Sequence, residues 1–215
     1  MIGTHSMMAE PKALHAWSGE FGDRYTERNA ASTDAVRGRA RVWGEVFRKI
    51  VGDMPKSALE VGPNVGLNLQ GIQALSSMEL WGLEPNPAAR GRLVADAVLP
   101  AERVLEGFGH SIPLADGAVE LAFTSGVLIH VDPSLLEKTM SEIHRVSSKY
   151  VFCAEYFSPK AEAIPYRGES DLLFKNDFGS LYLDSFPDLR LVDYGFFWRR
   201  TTVMDDSTWW LFRKA

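Results

Sequence analysis

The chain has 215 residues, 46% hydrophobic and 24% charged, with a formal net charge of −5. That length suits one domain with a real core, and the composition is that of a soluble globular protein. The acidic balance, without any long Lys/Arg run, argues against a nucleic-acid partner, and no apolar stretch approaches the ~20 residues of a membrane-spanning helix.

In chain order, residues 1–10, opening M-I-G-T-H-S-M, read as a disordered leader outside the fold, without the charged and apolar regions of a signal peptide. Residues 11–52 read as a helical cap or lid. Val36, Trp43, Val46, Phe47 and Ile50 fall near helical spacing, which predicts one or two helices between Glu20 and Val51. Trp17, Phe21 and Tyr25 recur at a spacing of four, which suits either a lid over a bound ligand or one packed helix face. Residues 53–215 read as one catalytic unit of alternating strands and helices. The strands are Ser57 to Val61, Glu79 to Leu83, Arg103 to Leu105, Val119 to Thr124 and Tyr150 to Tyr156. The helices run from Gly66 to Leu75, from Pro87 onward, from Asp132 to about Val146 and around Asp177 to Phe186, with two final strands near Leu189 to Phe197 and Thr208 to Phe212. This alternation predicts a Rossmann-like, doubly wound, mostly parallel seven-stranded sheet whose last pair of strands is antiparallel. Cys153, the only cysteine, excludes an internal disulfide and reads as a buried small hydrophobe or a thiol, in a cytoplasmic setting.

The most informative stretch is Ala58 to Gly66, A-L-E-V-G-P-N-V-G, followed by Glu84 at the tip of the next strand. A strand ending in Glu60, glycines at 62 and 66 and a helix start describe a tight ligand-binding turn. An acid about 20 residues further on suits ribose hydroxyls. Dinucleotide sites use G-x-G-x-x-G and face a pyrophosphate. Here Glu60 precedes the loop; it would repel phosphate but suits a ribose-bearing ligand with a cationic amine or sulfonium. S-adenosylmethionine is such a ligand.

With G-L-E-P-N at 82–86 and I-P-L-A-D-G-A-V-E-L-A-F-T-S-G-V-L-I-H-V at 112–131, the chain resembles class I S-adenosylmethionine-dependent methyltransferases over nearly its whole length. It is similar in particular to the pseudaminic acid biosynthesis-associated methylases. The pieces that match are W-S-G-E-F-G-D-R-Y-T-E-R-N at 17–29, G-V-L-I-H-V at 126–131, E-Y-F-S-P-K-A-E-A-I-P-Y-R-G at 155–168, L-F-K-N-D-F at 173–178 and D-D-S-T-W-W at 205–210. The resemblance implies methyl transfer to an oxygen or nitrogen of a small polar metabolite, such as a sugar-like one, yielding S-adenosyl-L-homocysteine.

It also implies site residues. Glu60, Gly62, Asn64 and Gly66 would line the methionine part of the cofactor, and Glu84 would accept both ribose hydroxyls. Phe108 stands where many relatives place an adenine-binding aspartate; it can stack on the ring, with Gly109 and its neighbours supplying backbone contacts. Thr124, Gly126 and Ile129 would border the cofactor at the carboxyl end of the sheet, with Tyr25 over it from the lid. His130 is the candidate general base or substrate-orienting group, and Glu155 and Tyr166 are candidates to handle a proton. Trp17, Tyr156, Arg167 and Lys175 are candidate substrate contacts; Arg167 can clamp a carboxylate or phosphate, and Lys175 either reaches substrate or pairs with Asp177. No His/Cys/Asp/Glu cluster has metal-ligand spacing, so no metal is expected. The alternatives are N-methylation of an amine- or guanidine-bearing precursor, with acids holding the cation, and a non-catalytic cofactor-binding module.

Overall fold

A computed structural model gives the structure of residues 12–29, 31–168 and 172–215; the expected leader at residues 1–10 lies outside them. Three helices open the described chain: α1 (Lys12–Ser18), α2 (Glu20–Arg28) and α3 (Thr33–Phe47), the last continued by a short 3-10 turn to Ile50. The sequence predicts one or two helices between Glu20 and Val51, and α2 and α3 occupy that span. β1 (Ser57–Val61) leads into α4 (Leu67–Gln73), β2 (Glu79–Glu84) into α5 (Pro87–Ala95), and β3 (Val104–Glu106) follows. β4 (Val119–Ser125), α6 (Pro133–Val146) and β5 (Ser147–Glu155) complete the parallel part. A two-stranded ribbon not foreseen in the sequence, β6 (Glu162–Ala163) with β7 (Phe174–Lys175), then precedes α7 (Phe178–Ser185), β8 (Leu189–Phe197) and β9 (Ser207–Lys214).

The main sheet has seven strands in the order β3-β2-β1-β4-β5-β9-β8. The first five are parallel, and β9 pairs antiparallel with both β5 and β8, so the doubly wound, mostly parallel sheet expected from the alternation is present. Local chemistry sets the helix starts. Ser32, Asn86, Asp132 and Asp177 each accept a first-turn backbone N–H of the helix that follows, and proline occupies the first turn of α5 and α6.

Each sheet face carries its own apolar layer. Trp43 of α3, with Leu69 and Ile72 of α4, packs on Phe123, Phe152 and Trp209; Ile143 and Val146 of α6 and Tyr182 of α7 pack on Leu59, Val151 and Phe212. Chain order reverses between β1 and β4, which pair directly, and the crevice outside their carboxyl ends is where such sheets bind ligands. Trp43 anchors the first layer. It is 2% exposed, meets Phe123 edge-to-face at 4.7 Å and donates its indole N–H to Asn68. Trp43→Ala should lower the unfolding free energy by about 3–5 kcal/mol in urea denaturation; a loss below about 1 kcal/mol would contradict this packing.

Candidate functional site

The carboxyl ends of β1, β2 and β4 open into one cavity of about 1200 Å³, mouth included. Its walls come from the G-P-N-V-G loop, the turns after β2, β3 and β4, the start of α6, and helices α1 to α3. Of the residues singled out in the sequence, Trp17, Tyr25, Glu60, Gly62, Asn64, Glu84, Phe108, Gly109, Gly126 and His130 line it.

Glu60, 2% exposed, lies at the heart of the cavity wall. One carboxyl oxygen accepts from the Asn68 amide at 2.7 Å; the other has no partner among the described residues. Burial pushes this carboxyl up to about 8, against the opposing pull of the Asn68 hydrogen bond and the nearby Arg39 guanidinium. Gly62 turns the chain above it at φ 73, and a Cβ there would meet Val127 Cγ2 at 2.7 Å. No other residue fits that turn without moving the loop after β4.

Glu84 ties two loops together. Its oxygens accept the backbone N–H of Asn64 and of Asn86, each at 2.9 Å, and each keeps a second lone pair for a ligand. Asn64 and Asn86 in turn fasten the N-terminal helices. Asn64 Nδ2 donates to Thr26 at 2.8 Å, and Asn86 Nδ2 donates to Asp23 at 2.8 Å. Among the described residues, Asn64 Oδ1 has no partner. Phe108 also lines the cavity, stacked on His110 with ring centroids 5.8 Å apart.

His130 ends the short 3-10 turn after β4. Its Nδ1 hydrogen-bonds to the Leu172 carbonyl, which can only accept, so Nδ1 carries the proton and Nε2 is the acceptor nitrogen. Burial drives its pKa down to about 4, so the ring is neutral near pH 7. Trp17 lies 4.6 Å away on one side and Tyr166 5.1 Å on another, with Phe21 and Tyr25 packed edge-on against Trp17.

Other expected site residues sit elsewhere. Gly66 caps α4, and a Cβ there would strike Val98 and Leu93 rather than the cavity. Thr124 is fully buried below the floor. Glu155, expected at the substrate, is 0% exposed and spends its carboxyl on the amides of Val127 and Ile129. Tyr156 donates to Asp205 at 3.1 Å, outside the cavity wall, although Asp205 and Tyr166 come close enough to Tyr25 to help raise its phenol pKa behind the effect of burial. Arg167 is exposed and lies over the Tyr166 ring. Lys175 belongs to the ribbon and borders a separate cleft behind the Leu128–Val131 turn. The displacements of Tyr156, Arg167 and Lys175 share one cause: the chain between β5 and α7 makes a long excursion whose path no local pattern encodes.

Two wall residues escaped the sequence reading. Arg39, half-buried on α3, faces Glu60, Tyr25 and Asp205, and its Nε has no partner among the described residues. Its signal was its place between Val36 and Trp43 on the helix face that packs inward, where a charge is costly unless used. Asn86 stands out in the sequence only as the residue before the helix that opens at Pro87. Among the described residues, no three His, Cys, Asp or Glu side chains gather as metal ligands.

Residues 59–153 match the family model described as a methyltransferase domain. The chain is a methyltransferase that uses S-adenosylmethionine. A search of curated sequences finds no match. Among solved structures, the fold is similar to magnesium protoporphyrin IX methyltransferase (ChlM) from Synechocystis PCC 6803 with bound S-adenosylmethionine, at 12% identity over 97% of this chain and 100% of that one, TM-score 0.66. It is also similar to Burkholderia thailandensis 1,6-didemethyltoxoflavin-N1-methyltransferase, at 13% identity over 93% and 84%, TM-score 0.65. A third is a Haloferax volcanii methyltransferase complexed with the Trm112 methyltransferase activator, at 14% identity over 90% and 95%, TM-score 0.65. The donor set fits the cofactor: unpartnered acceptors on Glu60 and Asn64 suit a cation, the bare Arg39 Nε suits a carboxylate, and Glu84 keeps lone pairs for hydroxyls.

The raised Glu60 pKa has a direct consequence for stability. Between about 4.5 and about 8 the native state keeps a proton that the unfolded chain has lost, so stability falls as pH rises through that window. Urea denaturation across the window should show this slope in the wild type and a shallower one in Glu60→Gln. Equal slopes would contradict the assignment.

Proposed function

We propose that this methyltransferase acts on an oxygen or nitrogen of a small polar metabolite, sugar-like as in the pseudaminic acid biosynthesis-associated methylases that it resembles, in the cytoplasm. The observation that carries the reading is the single cavity in which the unpartnered oxygen of Glu60 and the ring of His130 both stand, closed over by Trp17 and Tyr25. Such an enclosed wall, with the net charge of −5, supports a small acceptor rather than a nucleic acid. Among the described residues no helix is long and apolar enough to cross a membrane.

When bound, S-adenosylmethionine supplies a methyl group made electrophilic by its sulfonium. Glu60 takes the cationic end and Arg39 the carboxylate, while Glu84 holds the ribose hydroxyls and Phe108 and Gly109 flank the base. Gly126 leaves open space on the floor, since a Cβ there would meet nothing within 4 Å. Trp17 and Tyr25 keep water out, and His130 orients the acceptor through Nε2, taking its proton where the acceptor is a hydroxyl. Tyr166 holds the His130 ring from the side. The low basicity of His130 favours a second reading, N-methylation of an amine-bearing metabolite whose lone pair attacks without prior deprotonation.

Incubation with S-adenosylmethionine and separate panels of sugar nucleotides and small amines, reading S-adenosylhomocysteine formed, should give turnover in one panel. Cofactor binding with no turnover in either would favour a binding module. With an active acceptor in hand, His130→Gln should cut kcat by about 10-fold or more at saturating cofactor; unchanged turnover would remove His130 from the reaction. Arg39→Ala should weaken cofactor binding in calorimetry by about 10-fold or more, and an unchanged Kd would exclude it from the carboxylate site.

A further inference from the structure

Glu155 is a buried acid without an assigned task. It closes β5, 0% exposed, beneath the turn that carries both Gly126 and His130. One carboxyl oxygen accepts the Val127 N–H and the other the Ile129 N–H, each at 3.3 Å, and the Leu128 amide also turns toward it. Just before them, Gly126 donates its N–H to Ala154, so four consecutive residues, 126 to 129, hang from the end of β5. Gly126 sits at φ 69, which frees the turn to bend back over the carboxyl. The turn's upper side is fixed separately, through the bond from His130 Nδ1 to the Leu172 carbonyl.

An acid is an expensive choice at this place. A buried carboxyl costs several kcal/mol unless its oxygens are taken up, and apolar side chains would fill the same volume at no such cost. The three converging amides offset that cost only for a group with two acceptor oxygens. A glutamine has one acceptor and an NH2 that would oppose an N–H, so the ionised form of glutamate is the one that matches the turn.

We propose that Glu155 is a positioning residue: by gripping the amides of Val127 and Ile129 it sets the turn that places His130 against the cavity, without touching cofactor or substrate. The inference rests on reading His130 as the residue that faces the acceptor. Burial lifts the Glu155 carboxyl to about 7, while Thr124 and the three amides hold it below what burial alone would give. The grip therefore loosens as pH falls below neutrality and the carboxyl takes a proton.

Two neighbouring groups titrate well above that window. The Cys153 thiol on β5 and the Tyr182 phenol on α7 are both driven well above their ordinary values by burial. Asp177, which reaches Cys153 electrostatically, caps α7 through Ser180. On β9, Glu155 faces Thr208. His130 itself is neutral above about 4.

The test is nuclear magnetic resonance of the full chain saturated with S-adenosylhomocysteine, followed between about pH 6 and about pH 8. In the wild type, the amides of Val127, Leu128 and Ile129 and the His130 ring nitrogens should titrate together with one midpoint near 7. Glu155→Gln should abolish that shared transition, move the His130 ring signals away from the wild-type high-pH positions, and leave the amides of β1 and β2 in place. His130→Gln should keep the transition in the three amides, which separates this role from that of the ring. Loop amides that stay flat in the wild type, or that titrate unchanged in Glu155→Gln, overturn the proposal. If Glu155→Gln does not fold, the wild-type titration and His130→Gln decide alone.

Discussion

The constraint on which the site depends is a carboxyl group kept out of water at the point where the sheet parts. Glu60 stands one residue before the end of β1, strand-paired on both sides, and among the described residues only one of its oxygens is satisfied, through Asn68. Trp43 holds Asn68 from the core, so the packing layer on one face of the sheet extends, by two hydrogen bonds, to an acceptor open to the cavity. A core that leaves one buried acceptor bare gives up stability, and a cation restores it. Cofactor recognition and fold stability thus share one group.

Around that group the remaining parts are joined rather than merely adjacent. Glu84 takes one amide from each of two loops, and the same loops pass their side chains on to α2 through Asn64 and Asn86. Gly22 on α2 allows this closeness, since a Cβ there would lie 2.8 Å from the Asn86 amide. The lid is accordingly bonded to the residues that line the cofactor end of the cavity, while its aromatic side, through Trp17, meets His130 at the other end. Displacing any of these residues moves both ends.

Much of this was legible in the sequence because it is local. β1 runs over the expected residues, α6 starts at Pro133 after the expected cap Asp132, and the antiparallel pair at the end of the chain is present. Ten of the named residues line one cavity, since the motifs that carry the family resemblance fall at the carboxyl ends of strands and on the lid. What failed was long-range. Glu155 ends a strand buried on both faces, where no alternation says which way a side chain points, and it turned under the floor instead of into the cavity. Tyr156, Arg167 and Lys175 belong to the excursion between β5 and α7, placed by a ribbon of two residues a side. Arg39 was hidden by its helix: read for apolar spacing, α3 looked like a cap, and its one inward charge was passed over.

The most direct measurement of the central claim is the proton balance of cofactor binding. Titration calorimetry with S-adenosylmethionine near pH 7, repeated in buffers of different ionisation enthalpy, reads the protons released. Glu60 holds its proton at that pH when the cavity is empty of cations, and a sulfonium or ammonium beside it favours the carboxylate. The account predicts net proton release for the wild type, diminished in Glu60→Gln. Binding with the same heat in every buffer would contradict it.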